Sequence, residues 1–530
     1  MSAAADHGVA PTTARRFTGL LGVVSLVVGW ELAARALEGA FILAAPSDVA
    51  VWIVQNAGLL GRAFRVTLGN AAAGFVAGNL AAVMLAALAL AWPRGERVIA
   101  GLALLIFCLP LVATGPILRV LYGPGPGPQI TLAALAVYYT TFVPLLVGLR
   151  AAPSSWFDLV RSYGRGAMAE LVHIRAAAAL PYLFAGLQIA APAAFLGAMV
   201  GEFTGAERGM GVLTIRATRA LDVDAIWALA TVAAAASMAV YAAVGVIARA
   251  VLTEPPPVIL SPPPMPRTGG ARGRAIVLTT AAVLGFALLL WWGAMELFDL
   301  NRFFAKRPDD VWAALVTAPD AAETRATLAQ ALRETSVYLL PGFAAGLALG
   351  TGMAVALTLL PAIGAGATAV AVALRSVPIV TTAPLVVLLL GRGAVGTIVL
   401  VAVMVFFPTF VACLHGLRQA PGQVIDVLDS YAAGPIARLW HVQLPAMLPA
   451  FFAAARMSVP ASVLAVTVVE WLATGRGIGS LMALSASLSD YDMLWSSVVI
   501  VALLSVAGYA GVGAVERRVL SVYAAEQMTR

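Results

Sequence analysis

The chain has 530 residues, of which 61% are hydrophobic and 11% charged, and its mean hydropathy is +0.93. Soluble domains carry about 25% charged residues, so this composition excludes a water-facing domain of any size. The net charge of +7 comes from 33 Lys and Arg residues, among which Lys306 is the single lysine. The arginines fall mostly in short connections and form no basic patch interleaved with aromatics. That pattern sets membrane orientation and argues against nucleic acid as a partner.

A bilayer span takes about 20 mostly apolar residues. Such runs occur at 18–37, 67–92, 98–118, 129–149, 179–200 and 225–251, and a second set follows after a break. The predicted fold is all-α: a polytopic membrane protein of two tandem six-helix units, with about 12 transmembrane helices. Arg15 and Arg16 precede the first run in the manner of a signal peptide. The run is long and its pattern returns in the second half, so it is expected to be an uncleaved first helix. Cys108 and Cys413 stand alone in separate apolar spans and are expected to be core residues, with no disulfide framework.

An internal repeat sets the organisation. His173 to Pro192 matches His441 to Pro460, at an offset of 441 − 173 = 268. The same offset pairs Thr67 with Thr335, Gly74 and Gly78 with Gly342 and Gly346, and Pro110 with Pro378. It pairs Glu202 with Glu470, Gly209 and Gly211 with Gly477 and Gly479, and Asp222, Asp224 and Trp227 with Asp490, Asp492 and Trp495. Near the start of each half the offset is smaller, 308 − 46 = 262 from Pro46 to Pro308, so a few residues are inserted between Ala318 and Gln330. The expected units are a first repeat at 1–252, a linker at 253–274 rich in Pro and Gly, and a second repeat at 275–530. Arginines in the linker and near both ends place the termini and the linker in the cytoplasm, although Arg62, Arg65 and Arg208 then lie outside.

With that orientation, the connection between the fourth and fifth spans is cytoplasmic, and it is long and polar in both halves. The first copy holds Asp158, Arg161, Ser162, Tyr163, Gly164, Arg165, Glu170, His173 and Arg175. The second holds Asp426, Asp429, Ser430, Tyr431, Ala432, Arg438 and His441. A short surface helix fits each copy, with an apolar side toward its own bundle and a polar side toward a partner. Two copies at one offset suggest a two-fold docking surface.

These loops resemble the EAA loop of bacterial ABC importer permeases, patterned E-A-A, then Gly, then I-x-L-P. Asp426 stands at the acidic position, Val442 at the Ile and Leu444-Pro445 at the Leu-Pro; in the first copy Asp158, Gly164 and Ile174 match. The Gly position is Ala432 in the second copy, and the Pro position is Ala177 in the first. Pro46-Ser47-Asp48-Val49, Thr67, Gly74-Phe75, Gly78, Glu202 and the later Gly-x-Gly resemble the nitrate, taurine and sulfonate group of these permeases, which also serves vitamin-precursor systems. The resemblance implies a fused dimer of type I permease units in a bacterial inner membrane. It implies two ATPase subunits as partners, docked on the coupling helices, and a periplasmic or lipid-anchored solute-binding protein. The solute would be a small polar molecule such as nitrate, a sulfonate or a vitamin precursor. Fused ferric-iron and thiamine permeases have similar length and remain an alternative.

The chain is not expected to be an enzyme, and it has no P-loop to bind ATP, since Lys306 follows Ala305. Glu202 and Glu470, at the outer ends of the fifth spans, are candidates for gating or lining the path, or ordinary helix-end acids in water. If they faced each other across the axis they would disfavour an anionic solute, unless paired with Arg208 and Arg476. Pro110 and Pro378 are expected to kink the third spans where the path narrows. His173 and His441 lack metal-ligand spacing and are expected to contact the ATPase or cap their helices. The glycine pairs are expected to serve packing, and the Asp pairs to cap the sixth spans or meet the binding protein. A 12-helix secondary transporter is the rival class, but its charged loop would fall between spans two and three. An intramembrane enzyme is disfavoured because the spans show no paired acids, Ser/Lys dyad or His/Glu set.

Overall fold

Inside a bilayer every backbone N–H and C=O must find an internal partner, which leaves helices as the natural form for long apolar runs. A computed structural model describes residues 24, 25, 27–37, 43–123, 125–252, 272–360, 386, 389–391 and 393–523. All its regular elements are helices, and no strand occurs among the described residues. The first half holds α1 (27–36), α2 (Pro46–Gln55), α3 (Ala57–Ala91), α4 (Glu96–Phe107), α5 (Leu111–Tyr122) and α6 (Gly127–Gly148). It continues with α7 (Ser154–Ser162), α8 (Ala167–Phe203), α9 (Met210–Ala220) and α10 (Val223–Val251). The second half holds α11 (Arg272–Leu297), α12 (Pro308–Trp312, continued by a π-turn at Ala313–Thr317), α13 (Ala321–Leu359) and α14 (Ala394–Arg418). After these come α15 (Gly422–Ser430), α16 (Pro435–Leu472), α17 (Gly477–Ser487) and α18 (Tyr491–Tyr523).

Nine of the described helices are long and apolar enough to cross a bilayer, and the bent pair α4–α5 makes a tenth. The first span expected at 18–37 and the second half's third span, at 361–385, fall partly or wholly outside the described residues. So does most of the linker, whose last expected residues already belong to α11. The change of offset has a plain structural form. α13 has 39 residues where α3 has 35, one more helical turn, and Ala318–Asp320 connects where the first half has Asn56 alone.

The third span of the first half breaks. α4 and α5 meet at 91°, and Pro110, with extended backbone at φ −72° and ψ 105°, opens α5. A proline supplies no N–H to the preceding turn and disfavours helical backbone at the residue before it. Pro378, its expected counterpart, lies outside the described residues.

In lipid, helices associate through close packing rather than through expulsion of water. Gly74 and Gly78 of α3 lie against α6, and Gly342, Gly346 and Gly350 of α13 against α14. A Cβ at Gly78 would stand 2.6 Å from the Ala134 carbonyl oxygen, and one at Gly346 2.6 Å from that of Ala402. Backbone cannot yield as a side chain can, so Gly78→Ala or Gly346→Ala is expected to cost about 1–3 kcal/mol in thermal unfolding of the purified chain. Gly352→Ala, on the same helix with open space around it, is expected to be neutral or mildly stabilising.

The two halves interlock. Val112 and Ile117 of α5 enter a core with Val463, Val466 and Val469 of α16, Ile478 of α17 and Val498 of α18. In turn α11 lies on α4, where Val283 fills the space beside Gly101. α8 runs from the end of α7 to the start of α9, and α16 from the end of α15 to the start of α17, so these short helices stand at opposite ends of the bundle.

Candidate functional site

α7 and α15 are nine-residue helices in matched register, Ser154–Ser162 and Gly422–Ser430, and neither buries a residue. Each starts after an extended proline, Pro153 or Pro421. Each ends in a left-handed turn, at Gly164 with φ +69° and at Ala432 with φ +53°. Ser162 donates to the Leu159 carbonyl and Ser430 to that of Val427, both at 2.7 Å. The lost Gly at 432 therefore does not change the turn; alanine holds the same conformation under strain. Ala432→Gly is expected to stabilise the chain by about 1 kcal/mol in thermal unfolding.

Asp158, Arg161, Ser162, Asp426 and Ser430 are exposed, as are the aromatic and apolar residues beside them. Tyr163 is 76% and Tyr431 81% exposed, and Trp156, Leu159, Val424 and Val427 are open as well. His173 and His441 are exposed; each ring Nδ1 donates to the carbonyl four residues earlier, Ala169 at 3.2 Å and Ala437 at 2.9 Å. Among the described residues no group of acids, His and Cys could hold a metal ion. One ion pair ties each short helix to the next long one, with its charges exchanged between halves. Arg161 pairs with Glu170 at 2.7 Å, and Asp429 with Arg438 at 2.7 Å. The hydrogen bond from Arg161 to Glu170, with the attraction between them, raises the arginine pKa further.

The opposite end holds a second repeated device. Glu202 is 1% and Glu470 0% exposed. Thr67 of α3 donates to Glu202 Oε1 at 2.7 Å, and the Gly211 N–H donates to Oε2 at 2.7 Å. The Met210 N–H in turn donates to Thr67 Oγ1 at 2.9 Å. In the second half Gly479 N–H donates to Glu470 Oε2 at 2.8 Å, and Ile478 N–H to Thr335 at 2.9 Å. Glu334, which stands where the first half has Val66, accepts from Gly477 N–H at 3.0 Å. In each half the glutamate takes one opening N–H group of α9 or α17 and the threonine another, and a helix N-terminus is a favourable place for a carboxylate. The Gly-x-Gly spacing admits it: Gly209 has φ +134° and Gly477 φ +85°, and a Cβ at either would overlap the glutamate carboxyl.

This placement takes Glu202 and Glu470 out of water, against the reading of them as exposed helix-end acids. Both are buried against their own half, and among the described residues no ion pair joins them to Arg208 or Arg476. Asp222 and Asp490 cap their helices as expected, accepting from Ala225 and Met493 N–H at 3.0 Å. Trp30 and Trp291 escaped sequence reasoning. Each donates its indole N–H to the carbonyl two residues before the helix-opening proline, Ala44 at 3.0 Å and Lys306 at 3.1 Å. Their rings lie 5.3 and 5.2 Å from those of Trp227 and Trp495. Their offset of 291 − 30 = 261 precedes the insertion, so a search at 268 passes over them.

Comparison with known proteins agrees with this two-fold plan. The model of the family described as binding-protein-dependent transport system inner membrane component matches twice, at residues 59–253 and 331–521. A probable ABC transporter permease protein of Haemophilus influenzae is 30% identical over 226 residues, 42% of this chain and 91% of that protein. The riboflavin transport system permease protein RibX of Chloroflexus aurantiacus is 29% identical over 228 residues, 42% of this chain and 85% of RibX. The putative aliphatic sulfonates transport permease protein SsuC of Escherichia coli is 30% identical over 131 residues, 25% of this chain and 50% of SsuC. This chain belongs to the binding-protein-dependent transport system inner membrane component family, as a polytopic permease that carries two copies of the family unit in tandem.

Proposed function

We propose that the chain is the complete pair of permease units of an ATP-driven importer, with α7 and α15 as the coupling helices of two ATPase subunits. The observation that carries this is the pair of exposed short helices in matched register, each closed by a left-handed turn and braced by one ion pair. In this reading the α7/α15 end faces the cytoplasm, with the linker and both termini. The α9/α17 end faces a solute-binding protein across a bacterial inner membrane. ATP closes the two ATPases and moves the coupling helices; the interlocked halves rock, and a path along their seam opens to each side in turn. The solute is a small polar molecule of the sulfonate or vitamin-precursor kind, as the relatives' names suggest.

The test is purification of the tagged chain from its native membrane in gentle detergent, with mass spectrometry of its partners. Two ATPase copies per chain support the reading. A chain that comes alone, and drives uptake into vesicles on an ion gradient without ATP, would make it a secondary transporter instead.

A further inference from the structure

α16 carries a charge far from both of its ends. Arg456 lies 472 − 456 = 16 residues from the nearer end of the helix Pro435–Leu472. At about 1.5 Å per residue it sits roughly 18 Å from Leu444 and roughly 21 Å from Glu470. Among the described spans no other Arg lies so far from both ends of its helix. Charged side chains at such depth are costly, face the bundle interior or a wet cavity, and mark solute or ion pathways.

The surroundings place this charge at the seam. Arg456 pairs with Glu516 of α18 at 3.2 Å, the two side chains being 20% and 14% exposed. Its guanidinium lies 5.6 Å from the Tyr509 ring centre. Tyr509 faces Tyr139 of α6, in the other half. The next residue, Met457, packs on the first half's cluster of Tyr138, Tyr139 and Phe142. Tyr139 stacks at 4.4 Å on Phe107, the last residue of α4 before the 91° break. Arg456 therefore stands near the meeting of the halves, close to the broken span.

The first half packs the corresponding helices without an ion pair. At the matched positions the first half has Gln188 and Ala248. Gln188 lies over Gly245, where a Cβ would stand 2.7 Å from its amide nitrogen; Arg456 lies over the matched Gly513, at 3.6 Å from its Cδ. One geometry, a polar side chain of the fifth span laid across a glycine of the sixth, is kept in both halves. Only the second half adds a positive charge and its counter-ion.

We propose that Arg456 is a solute-selecting residue of the translocation path, which takes an oxyanion group of the passing solute (sulfonate, carboxylate or phosphate) in exchange for Glu516. The planar guanidinium offers two parallel N–H donors to such a group, and lysine does not. Glu516 holds the arginine while the seam is closed and competes with the solute when it opens, so that the site releases what it binds. This rests on the permease reading, in which the seam is the path.

The test uses the purified full chain at constant ionic strength, titrated with ethanesulfonate and with its uncharged analogue ethanesulfonamide, with thermal unfolding as readout. Acetate and phosphate then rank the oxyanions. Ethanesulfonate is expected to raise the wild-type melting temperature saturably, and ethanesulfonamide is not. The double variant R456Q/E516A copies the first half's own residues and is expected to fold with at least about tenfold weaker anion binding. R456K is expected to weaken it as well, and E516Q, freed of the competing carboxylate, to bind more tightly. A wild type that does not respond, or a double variant that responds equally, overturns the proposal. Co-purified ATPase is measured in the same preparations. Without it the permease reading fails; with it but without an anion response, only the role of Arg456 fails.

Discussion

Gly209→Ala is expected to be the most damaging single methyl group that can be added to the first half. Its φ of +134° is a region that side chains avoid, and the new Cβ would overlap the Glu202 carboxyl. Strain and overpacking together should cost about 3 kcal/mol or more. The purified variant should show a large fall in melting temperature, or fail to accumulate in the membrane. Glu202→Ala should approach the same loss, because it strands the Gly211 N–H in a dry interior, opens a cavity, and leaves the Thr67 hydroxyl only the Ala63 carbonyl to donate to. The two halves should then differ under the gentler change to glutamine. Both Glu202 oxygens accept bonds, so Glu202→Gln loses about 1–2 kcal/mol. Glu470 Oε1 holds no bond as close as that of Thr67 to Glu202, with Thr335 facing the carboxyl more loosely, so Glu470→Gln should cost less. Equal costs for the two glutamine variants would refute the asymmetry described for these clamps.

Function should respond in the opposite way at the other end of the bundle. Tyr163→Asp at the end of α7 and Tyr431→Asp at the end of α15, each the residue that follows its helix, change side chains that are 76% and 81% exposed. Each should leave thermal stability within about 0.5 kcal/mol of wild type, as surface substitutions do. Each should nevertheless lower ATPase co-purification by about tenfold or more, since a buried aromatic anchor in an interface commonly carries 2 kcal/mol or more. Combining them should abolish both co-purification and ATP-dependent uptake. If variants of unchanged stability retained their full complement of ATPase, α7 and α15 would not be the docking surface. The exchanged pairs Arg161–Glu170 and Asp429–Arg438 make the two surfaces unlike in charge. The two single variants are therefore expected to differ in how steeply salt affects the remaining association.

Much of the molecule was legible without coordinates, for a physical reason. A bilayer demands long apolar runs, so composition and run length alone place the spans. A tandem duplication writes each element twice, so one offset pairs Ser154–Ser162 with Gly422–Ser430 before any helix is seen. Pro110 announces the break in its span because its ring removes a donor locally. Such features depend on residues near one another in the chain, or on the solvent, and need no knowledge of the fold.

Contacts across the fold were decided only in three dimensions. Glu202 reads in sequence as a helix-end acid facing water or a path, because its partner Thr67 lies 202 − 67 = 135 residues earlier. Its burial depends on α9 folding back over the end of α8. Ala432 reads as a broken motif until its backbone proves to hold the left-handed turn of Gly164. Trp30 and Trp291 lie before the insertion and match only when the structure superposes their indole bonds. Arg456 reads as one arginine in an apolar run until α18 supplies Glu516 and α6 closes the seam beside it. Spans and their repetition are properties of local hydrophobicity and duplication, which the amino-acid order contains outright. The pairing of buried polar groups depends on which helices meet, and that was settled by packing.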